Sequence, residues 1–518
     1  MITQRRAAFR TILLAALIIF FGASLASKPG PVSAQARRTR TPTSTSTRTA
    51  TPTLVPSPTL PLADWPPPLL LFTSRGAMHT PVLAADQEGR LHLFWKLIEP
   101  ANELGEPGEA ILYYSQKTRR GWSSPVAIFA SSAINNPTAA VDSYGVLHLM
   151  WSGENQRLHY SRVQVDKADD VHSWSKPVLF EPANLSPHLV IDRRDVLHVV
   201  FPGRQAKGIY YMTSSDGGDH WSAAVNVSPT DRVNTSADYP RIAVSPNGTI
   251  HIVWTEFQLP SGWPPTGIYY IRSEDGGKHW SQKVQFTGPN YDQANIVAPS
   301  DSVVHVVWNA IVTIQGRYHR WSNDGGRTWS KPAQISSLGG TEGPPQIAAD
   351  TFGKVHLLST YDGCPNYHYF VNGRWSGPVC LVNQSGPIED IGWSGYVEEP
   401  AFAISNGKYL HAVYWDDRRR LWYSGFELDH LPEIRPVPFI TRRPPAPTLT
   451  QTPAATPTAQ KTSTPLPAFQ GEISSPNPLR SLITDLLPAF LVIILGSGAA
   501  VLWRARQTNA LRSRRWKK

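Results

Sequence analysis

The sequence predicts an all-β fold, a β-propeller of seven four-stranded blades, with a six-bladed ring as the alternative. Two repeats predict it: seven short apolar segments carry a central histidine, and three nine-residue turns share Ser, Asp, Gly and Trp at equal offsets. The chain has 518 residues, which is too long for one ordinary hydrophobic core, so a repeat architecture or several domains is expected.

The histidine segments set the period of the repeat. Examples are LHLFW from Leu91, IHIVW from Ile250 and VHVVW from Val304. The seven histidines are spaced by 50 to 56 residues: His92, His148, His198, His251, His305, His356 and His411. Around each lie short strands and tight turns without a helical period, and four such strands in about fifty residues are typical of one propeller blade.

A shared metal site of these histidines is not expected. They occupy equivalent places in different blades, so rotation about the ring axis keeps them apart, whereas zinc needs its ligand atoms at about 2 Å. We therefore predict no metal and no cofactor. Each imidazole is expected to be buried between sheets and to hydrogen-bond a backbone group.

The seventh unit lacks its outer strand. After LHAVYWDDRRRLWYSGFEL there is no Trp-Ser-x-Pro segment, while DWPPPLLLF from Asp64 is similar to WSSPVAIF from Trp122. We predict that residues 65–72 form the outer strand of the last blade. Such a strand would close the ring and remove an exposed sheet edge.

The three turns match the pattern SxDxGxxW, the Asp box. Their members are Ser214, Asp216, Gly218 and Trp221; Ser273, Asp275, Gly277 and Trp280; and Ser322, Asp324, Gly326 and Trp329. In this motif the chain resembles the sialidase (neuraminidase) superfamily, over roughly residues 65–430. Asp accepts backbone N–H groups, Gly adopts conformations that other residues avoid, and Trp packs between strands. We interpret the boxes as scaffold turns on the lower face.

The ends of the chain predict export and anchoring. Residues 1–36 read as a signal peptide, with an uncleaved anchor as the alternative. Residues 37–64 and 441–481 are Thr/Pro-rich and are expected to be disordered spacers. Residues 482–503 include 18 uncharged residues and predict a transmembrane helix, with a cell-wall sorting signal as the alternative. The basic segment 504–518 predicts a cytoplasmic tail, a single-pass protein in the cell membrane and a propeller outside.

The central domain, residues 65–440, is mildly acidic. The formal net charge of the chain is +10, yet this domain holds 30 basic and 36 acidic residues. Phosphate binding needs clustered Lys and Arg, so nucleic acid is excluded as its partner. Its two cysteines, Cys364 and Cys380, flank an Asn-Gly turn signal and predict a disulfide across a hairpin, with two free thiols as the alternative.

Candidate functional residues lie in the loops that emerge on the upper face, at the mouth of the channel. The catalytic candidates are Asp238, Tyr239, Glu256, Glu399 and Asp416. The substrate-binding candidates are His79, Arg241, Trp263, Trp393, Tyr396, Trp415 and Arg418. Aromatic faces suit pyranose rings, and carboxylates accept hydrogen bonds from hydroxyls, so glycans or polysaccharides are the expected partners.

The resemblance implies a specific sialidase site. It would hold a carboxylate with three arginines and use a tyrosine nucleophile, a glutamate and an acid/base aspartate. In the family the first arginine precedes Ile-Pro at the head of the first inner strand, but here His79 takes that place before Thr80 and Pro81. An imidazole does not replace a bidentate guanidinium.

Three functions follow from the sequence. We favour a membrane-anchored, sialidase-like propeller that recognises glycans or polysaccharides. An active glycoside hydrolase of the sialidase superfamily, or a polysaccharide lyase, is the first alternative, and a close carboxylate pair would indicate it. A non-catalytic adhesion or protein-interaction propeller is the second, and the fold alone does not choose among them.

Overall fold

A computed structural model describes residues 65–100, 108–182, 186–203, 207–228, 235–259, 262–311, 316–336, 343–361, 364–382, 398–416 and 418–441. These residues form seven antiparallel sheets, which confirms the predicted all-β propeller of seven four-stranded blades. Neighbouring first strands contact one another around the ring, including those of the first and last blades. The predicted signal peptide, both linkers except Thr441, the membrane helix and the basic tail lie outside the described residues.

The strands of each blade run in sequence order from the inner to the outer edge. Blade 1 contains Ala77–Ala85, Leu91–Ile98, Ala110–Thr118 and two short outer strands, Gly121–Trp122 and Val126–Ser131. Blade 2 contains Asn135–Val141, Val146–Ser152, Arg157–Gln164 and Val178–Pro182. Blade 3 contains His188–Ile191, Leu197–Pro202, Ile209–Ser214 and Val225–Asn226. Blade 4 contains Thr235–Val244, Ile250–Gln258, Pro265–Ser273 and Val284–Gln285.

The other three blades follow the same order. Blade 5 contains Tyr291–Val297, Val304–Ala310, Gly316–Ser322 and Ala333–Ser336. Blade 6 contains Gln346–Ala349, Val355–Tyr361, Cys364–Val371 and the short strands Arg374–Trp375 and Val379–Cys380. Blade 7 contains Glu398–Ser405, Tyr409–Trp415, Arg420–Glu427 and, as its outermost strand, Leu69–Thr73 from the N-terminal side.

Helical structure is minor in the described residues. Short 3₁₀ helices occur in blade 2, at Glu154–Gln156, Val165–Lys167 and Val171–Ser173. Within the described ranges, no helix has both the length and the apolar character that crossing a membrane requires.

The histidine segments are the second strands, and they form the core. Each is sandwiched between neighbouring sheets, so both of its faces are buried, as in Ile250–Gln258 and Val304–Ala310. The largest fully buried side chains include Trp95, Trp254 and Trp308 from these strands. Burial on both faces explains why the segments read as continuous apolar runs rather than alternating ones.

The repeat histidines bond side chains, so the expectation of a backbone partner is wrong. In six blades the imidazole Nδ1 lies 2.7–2.9 Å from the hydroxyl of a tyrosine on the third strand. In blade 5, His305 Nδ1 lies 2.9 Å from His319 Nε2. In the six blades with a tyrosine, Nε2 lies within 3.5 Å of an Asp or Ser beside the turn between the first two strands, for example Asp142 in blade 2 at 3.3 Å and Ser245 in blade 4 at 2.9 Å.

Burial favours the neutral form of two of these imidazoles in particular. It lowers the pKa of His251 and of His411 to about 3, with the nearby charge of Arg272 or Lys117 acting in the same direction. A neutral imidazole has one donor and one acceptor nitrogen, so it suits a hydroxyl on one side and an oxygen acceptor on the other. Within the described part of the chain, no group of three His, Cys, Asp or Glu side chains is arranged to hold a metal ion.

Each complete Asp box is a hydrogen-bonded turn between the third and fourth strands. In blade 3, Ser214 Oγ donates to Asp216 Oδ1 at 2.8 Å, and the Gly218 N–H donates to Ser214 Oγ at 2.8 Å. Gly218 has φ +87°, and a Cβ there would collide with the hydroxyl of Tyr160 in blade 2. The glycine is therefore required by the close approach of two blades as well as by its turn.

The Asp boxes share a face with the turns between first and second strands. In blade 5 the N–H of Gly325, in the box, donates to the carbonyl of Ser302, in that turn, at 2.8 Å. We call this face the lower face and the opposite one the upper face. The C-terminal segment crosses the lower face, where the N–H groups of Ile434, Val437 and Ile440 donate to turns of blades 7, 1 and 2.

One tryptophan per blade packs on the preceding blade. In blades 1 to 6 it follows the third strand, and its partner is the residue that bonds the histidine of the preceding blade. The ring centroids lie 4.9–6.4 Å apart in the pairs Trp122–Tyr423, Trp174–Tyr114, Trp221–Tyr160, Trp280–Tyr211, Trp329–Tyr270 and Trp375–His319. At blade 7 the tryptophan is Trp65, which lies 5.4 Å from Tyr367 of blade 6.

A disulfide joins Cys364 and Cys380 in blade 6, with a Cα–Cα separation of 5.8 Å. The chain reverses between them at Asn372 and Gly373, which have φ +51° and φ +76°. Positive φ at two successive residues is the geometry that tight hairpins favour. The bridge therefore ties the third strand of this blade to its outer edge.

Replacing Trp65 tests whether the N-terminal segment completes the ring. Trp65→Ala should destabilise the protein by about 3–5 kcal/mol, as much as Trp174→Ala, because both remove a buried indole between two blades. Equilibrium unfolding in urea measures both. Trp263→Ala is the control, since this side chain is 51% exposed. A Trp65→Ala protein as stable as that control would contradict the interpretation.

Candidate functional site

The first strands of all seven blades enclose a central cavity of about 570 Å³. Its wall contains polar residues toward the upper face, such as Thr80, Asn136, Tyr239, Arg241 and Gln293. A cavity of this size accommodates a small ligand, and it is the candidate site.

A β-bulge places the uppermost residues of the wall. The pairing between first and second strands shifts register in five blades, between His79 and Val82, Asn135 and Thr138, Asp238 and Arg241, Asp292 and Asn295, and Glu398 and Ala401. In four of them a residue of the bulge is left-handed: Thr80 (φ +46°), Asn136 (φ +42°), Tyr239 (φ +52°) and Gln293 (φ +54°). Such backbone costs energy in residues other than glycine and is concentrated at functional sites.

Proline fits beside these bulges. Pro81, Pro137 and Pro240 follow the left-handed residue in blades 1, 2 and 4. The first strand is the inner edge of its sheet, so a missing N–H there breaks no ladder with a further strand. The sequence thus directs the chain into a bulge that turns the preceding side chain toward the mouth of the cavity.

The polar wall consists of two layers. The upper layer, which we call the mouth ring, contains residues that lie twelve positions before the repeat histidine of their own blade: Thr80, Asn136, Ser186, Tyr239 and Gln293. The layer below, which we call the polar layer, contains residues that lie ten positions before that histidine: Thr138, His188, Arg241, Asn295 and Gln346. Both layers are rich in amide and hydroxyl groups, which donate and accept hydrogen bonds as sugar hydroxyls require.

Arg241 supplies a cation to the polar layer. Its Nη1 donates to the carbonyl of Pro240 at 3.0 Å, which uses one of five N–H donors. Beside it, burial together with the charge of Arg241 lowers the pKa of His188 to about 3. His188 is therefore neutral, and its Nδ1 accepts the Ile242 N–H at 3.2 Å.

Two aspartates hold neighbouring blades together behind the mouth ring. Asp292 of blade 5 hydrogen-bonds Thr255 of blade 4, and Asp238 of blade 4 hydrogen-bonds Ser186 of blade 3. Burial raises the pKa of Asp292 to about 6 against these hydrogen bonds, with a contribution from the charge of Asp238. Burial also raises the pKa of Asp238. Neither residue lines the cavity, so both position the mouth ring.

Two other catalytic candidates are engaged elsewhere. Glu256 accepts hydrogen bonds from Lys283 Nζ at 2.9 Å and from Trp254 Nε1 at 3.1 Å. Asp416 is fully buried in the turn between the second and third strands of blade 7, where its oxygens accept from Arg418 N, Arg420 N and Trp422 Nε1. These contacts give Glu256 and Asp416 structural roles.

The remaining candidates are dispersed. Tyr239 and Arg241 lie in the cavity wall, but His79 pairs with Lys96 and contacts the buried ring of Trp415 at 5.5 Å. Trp263 is exposed in the connection between the second and third strands of blade 4, and Arg418 lies in the Asp416 turn. Trp393, Tyr396 and the side chain of Glu399 lie outside the described residues.

The candidate set missed Gln293, Asn295, His188 and Gln346 in the wall, and Asp292 behind it. A signal for the four wall residues is present in the sequence, because their offset from the repeat histidine equals that of Tyr239 or Arg241. Counting from the histidine would have found them. Asp292 has the offset of Asp238, thirteen residues before the repeat histidine, so the same count would have found its position although not its burial.

Replacing Asp292 tests its burial. Because burial raises its pKa from 3.8 to about 6, the contribution of Asp292 to the free energy of unfolding should fall as pH rises from 4 to 6 and stay low above pH 6. Asp292→Asn should be more stable than wild type at pH 8 by about 2–3 kcal/mol and should differ little at pH 4. Urea unfolding at both pH values measures this. The exposed Asp166→Asn is the control, and equal effects at pH 4 and pH 8 would contradict the prediction.

Comparison with known proteins supports the repeat assignment. Residues 117–358 match the model of a BNR repeat-containing family. A comparison with curated protein sequences found no match.

Several solved structures are similar to this chain at low identity. The NanB sialidase from Streptococcus pneumoniae is 13% identical with a TM-score of 0.41, covering 71% of each chain. A polysaccharide lyase, an ulvan lyase, is 11% identical with a TM-score of 0.48, covering 70% of this chain and 95% of the other. A lectin from Burkholderia pseudomallei is 13% identical with a TM-score of 0.47, covering 68% and 97%. The Asp boxes and the seven blades agree with the family match: the described residues form a β-propeller, and residues 117–358 of it are similar to a BNR repeat-containing family.

Proposed function

We propose that this protein is a membrane-anchored, extracytoplasmic propeller that binds acidic glycans at the mouth of its central cavity. The observation that carries the proposal is the convergence of amide and hydroxyl side chains with one arginine on a single cavity wall. Glycan-binding and glycan-cleaving proteins among the solved propellers agree with this class of ligand without specifying it.

The mouth ring supports recognition of a sugar. Thr80, Asn136 and Gln293 offer donors and acceptors at the positions fixed by the bulges. Tyr239 adds an aromatic ring, which contacts Phe257 edge-on at 6.2 Å. Polar groups held by rigid strands bind hydroxyls at a low entropic cost, because they are already ordered before the ligand arrives.

Arg241 supports an acidic sugar over a neutral one. The described residues of the cavity wall include no Asp or Glu, and the neighbouring His188 is neutral. A partly buried guanidinium retains its charge and still has unused donors for a carboxylate or sulfate. The charge balance of the wall therefore favours an anion.

The same wall supports binding more than turnover. Glycoside hydrolysis needs two carboxylates on either side of the scissile bond. Among the described residues, Glu256 and Asp416 are held by structural contacts, and Asp238 lies behind the mouth ring. We therefore place recognition ahead of hydrolysis.

The anchoring part of the proposal combines sequence with topology. The predicted signal peptide and membrane helix place the propeller outside the cell. The described chain ends at Thr441, after its C-terminal segment has crossed the lower face. In this proposal the tether continues from the C-terminal segment of the propeller.

Calorimetric titration of the purified chain with acidic and neutral oligosaccharides tests the function. Arg241→Ala should lower the affinity for an acidic oligosaccharide at least about tenfold, because it removes a charged hydrogen bond, while Arg241→Lys should retain part of it. Arg194→Ala is the matched control, since its guanidinium is 66% exposed in a lower-face turn. Equal binding by Arg241→Ala and wild type would refute an arginine-centred site.

A further inference from the structure

Below the polar layer the cavity wall becomes apolar in every blade. The residues that line it there include one from each blade: Leu83, Ala139, Val190, Val244, Val297, Ile347 and Phe402. Each of these side chains is half-buried, because one side faces the cavity and the other sides pack between neighbouring sheets. We call this part of the cavity the apolar stem.

The change from polar to apolar is abrupt. In blade 4 the wall runs from Tyr239 and Arg241 to Ile242, Ala243 and Val244 within six residues. The described lining residues beyond the polar layer carry no hydrogen-bonding side chain in any blade. Three residues of strand correspond to about 10 Å of depth, enough for several methylene groups.

We propose that the cavity binds an amphiphilic glycoside, with its sugar in the mouth ring and an alkyl or aryl aglycone in the apolar stem. The inference rests on the proposed glycan function and specifies the ligand class. The stem side chains line the cavity and are partly exposed, while part of their surface packs against the cores between blades.

Physical chemistry favours this ligand over a free sugar. Water in the stem finds hydrogen-bond partners only in the backbone of the inner strand edges, and an apolar group that enters the stem removes apolar side-chain surface from water. Each methylene that leaves water strengthens binding by up to about fourfold. The orientation is also determined, because the anionic sugar is held by Arg241 at the upper end of the stem.

The test compares three probes on the purified chain by calorimetry: methyl β-D-glucuronide, octyl β-D-glucuronide below its critical micelle concentration, and 1-octanol. We expect octyl glucuronide to bind at least about tenfold more tightly than methyl glucuronide. Arg241→Ala should weaken both glucuronides. Val244→Asn should reduce the advantage of the octyl glycoside at least about threefold and leave methyl glucuronide unchanged.

Val225→Asn is the matched control, because Val225 is exposed on the outer strand of blade 3. Thermal melting checks that each variant is folded, and the comparison of the two glucuronides on wild type needs no variant. Equal affinities for methyl and octyl glucuronide would overturn the apolar stem and leave the glycan site standing. If octanol binds as tightly as octyl glucuronide, the sugar does not contribute to binding, and the proposal of an amphiphilic ligand is wrong. No binding of any probe would reject both proposals.

Discussion

The structure depends on one contact that repeats between blades. A tryptophan after the third strand packs on the aromatic residue of the preceding blade, such as Trp280 on Tyr211, and that tyrosine bonds the buried histidine of its own blade. The contact joins the outer part of one sheet to the core of the preceding sheet. Because it recurs at each junction, including Trp65 against Tyr367, every blade is stabilised by its neighbour. This is the nearest-neighbour stabilisation of repeat proteins, applied to a closed ring.

The ring in turn makes the cavity possible. Since the second strands and the interblade contacts contribute most of the buried apolar surface, the first strands are free to carry bulges and left-handed residues. Thr80, Asn136, Tyr239 and Gln293 occupy backbone conformations that an unsupported hairpin would relax. Asp292 and Asp238 stabilise the bulges through hydrogen bonds to the neighbouring blade, and burial raises the pKa of both carboxyl groups. The strained backbone and the buried carboxyl groups thus lie at the mouth of the cavity. The packing of the outer strands and between blades compensates for their energetic cost.

The features that the sequence predicts correctly are those encoded by short local motifs. The Asp boxes, the blade count and the roles of Gly218 and Trp221 follow from short motifs repeated at a constant spacing. The prediction for the repeat histidines was wrong, because the partner of each one, a tyrosine or in blade 5 a histidine, lies on another strand at a variable separation, from 11 residues in blade 6 to 22 in blade 1. Asp238, Glu256 and Asp416 were selected for their charge, and the sequence does not show that they contact Ser186, Lys283 and Trp422.

The sequence by itself determined the repeat: strand lengths, turn residues and a fifty-residue period are local properties, and they suffice for seven sheets. Only the tertiary structure decided which polar residues share a cavity and which are structural. Residues at equal offsets in separate blades, such as Gln293 and Tyr239, meet because the ring brings seven first strands around one axis. The same closure leaves an apolar wall exposed below them. Neither property belongs to a single repeat, since each arises from the distance between blades.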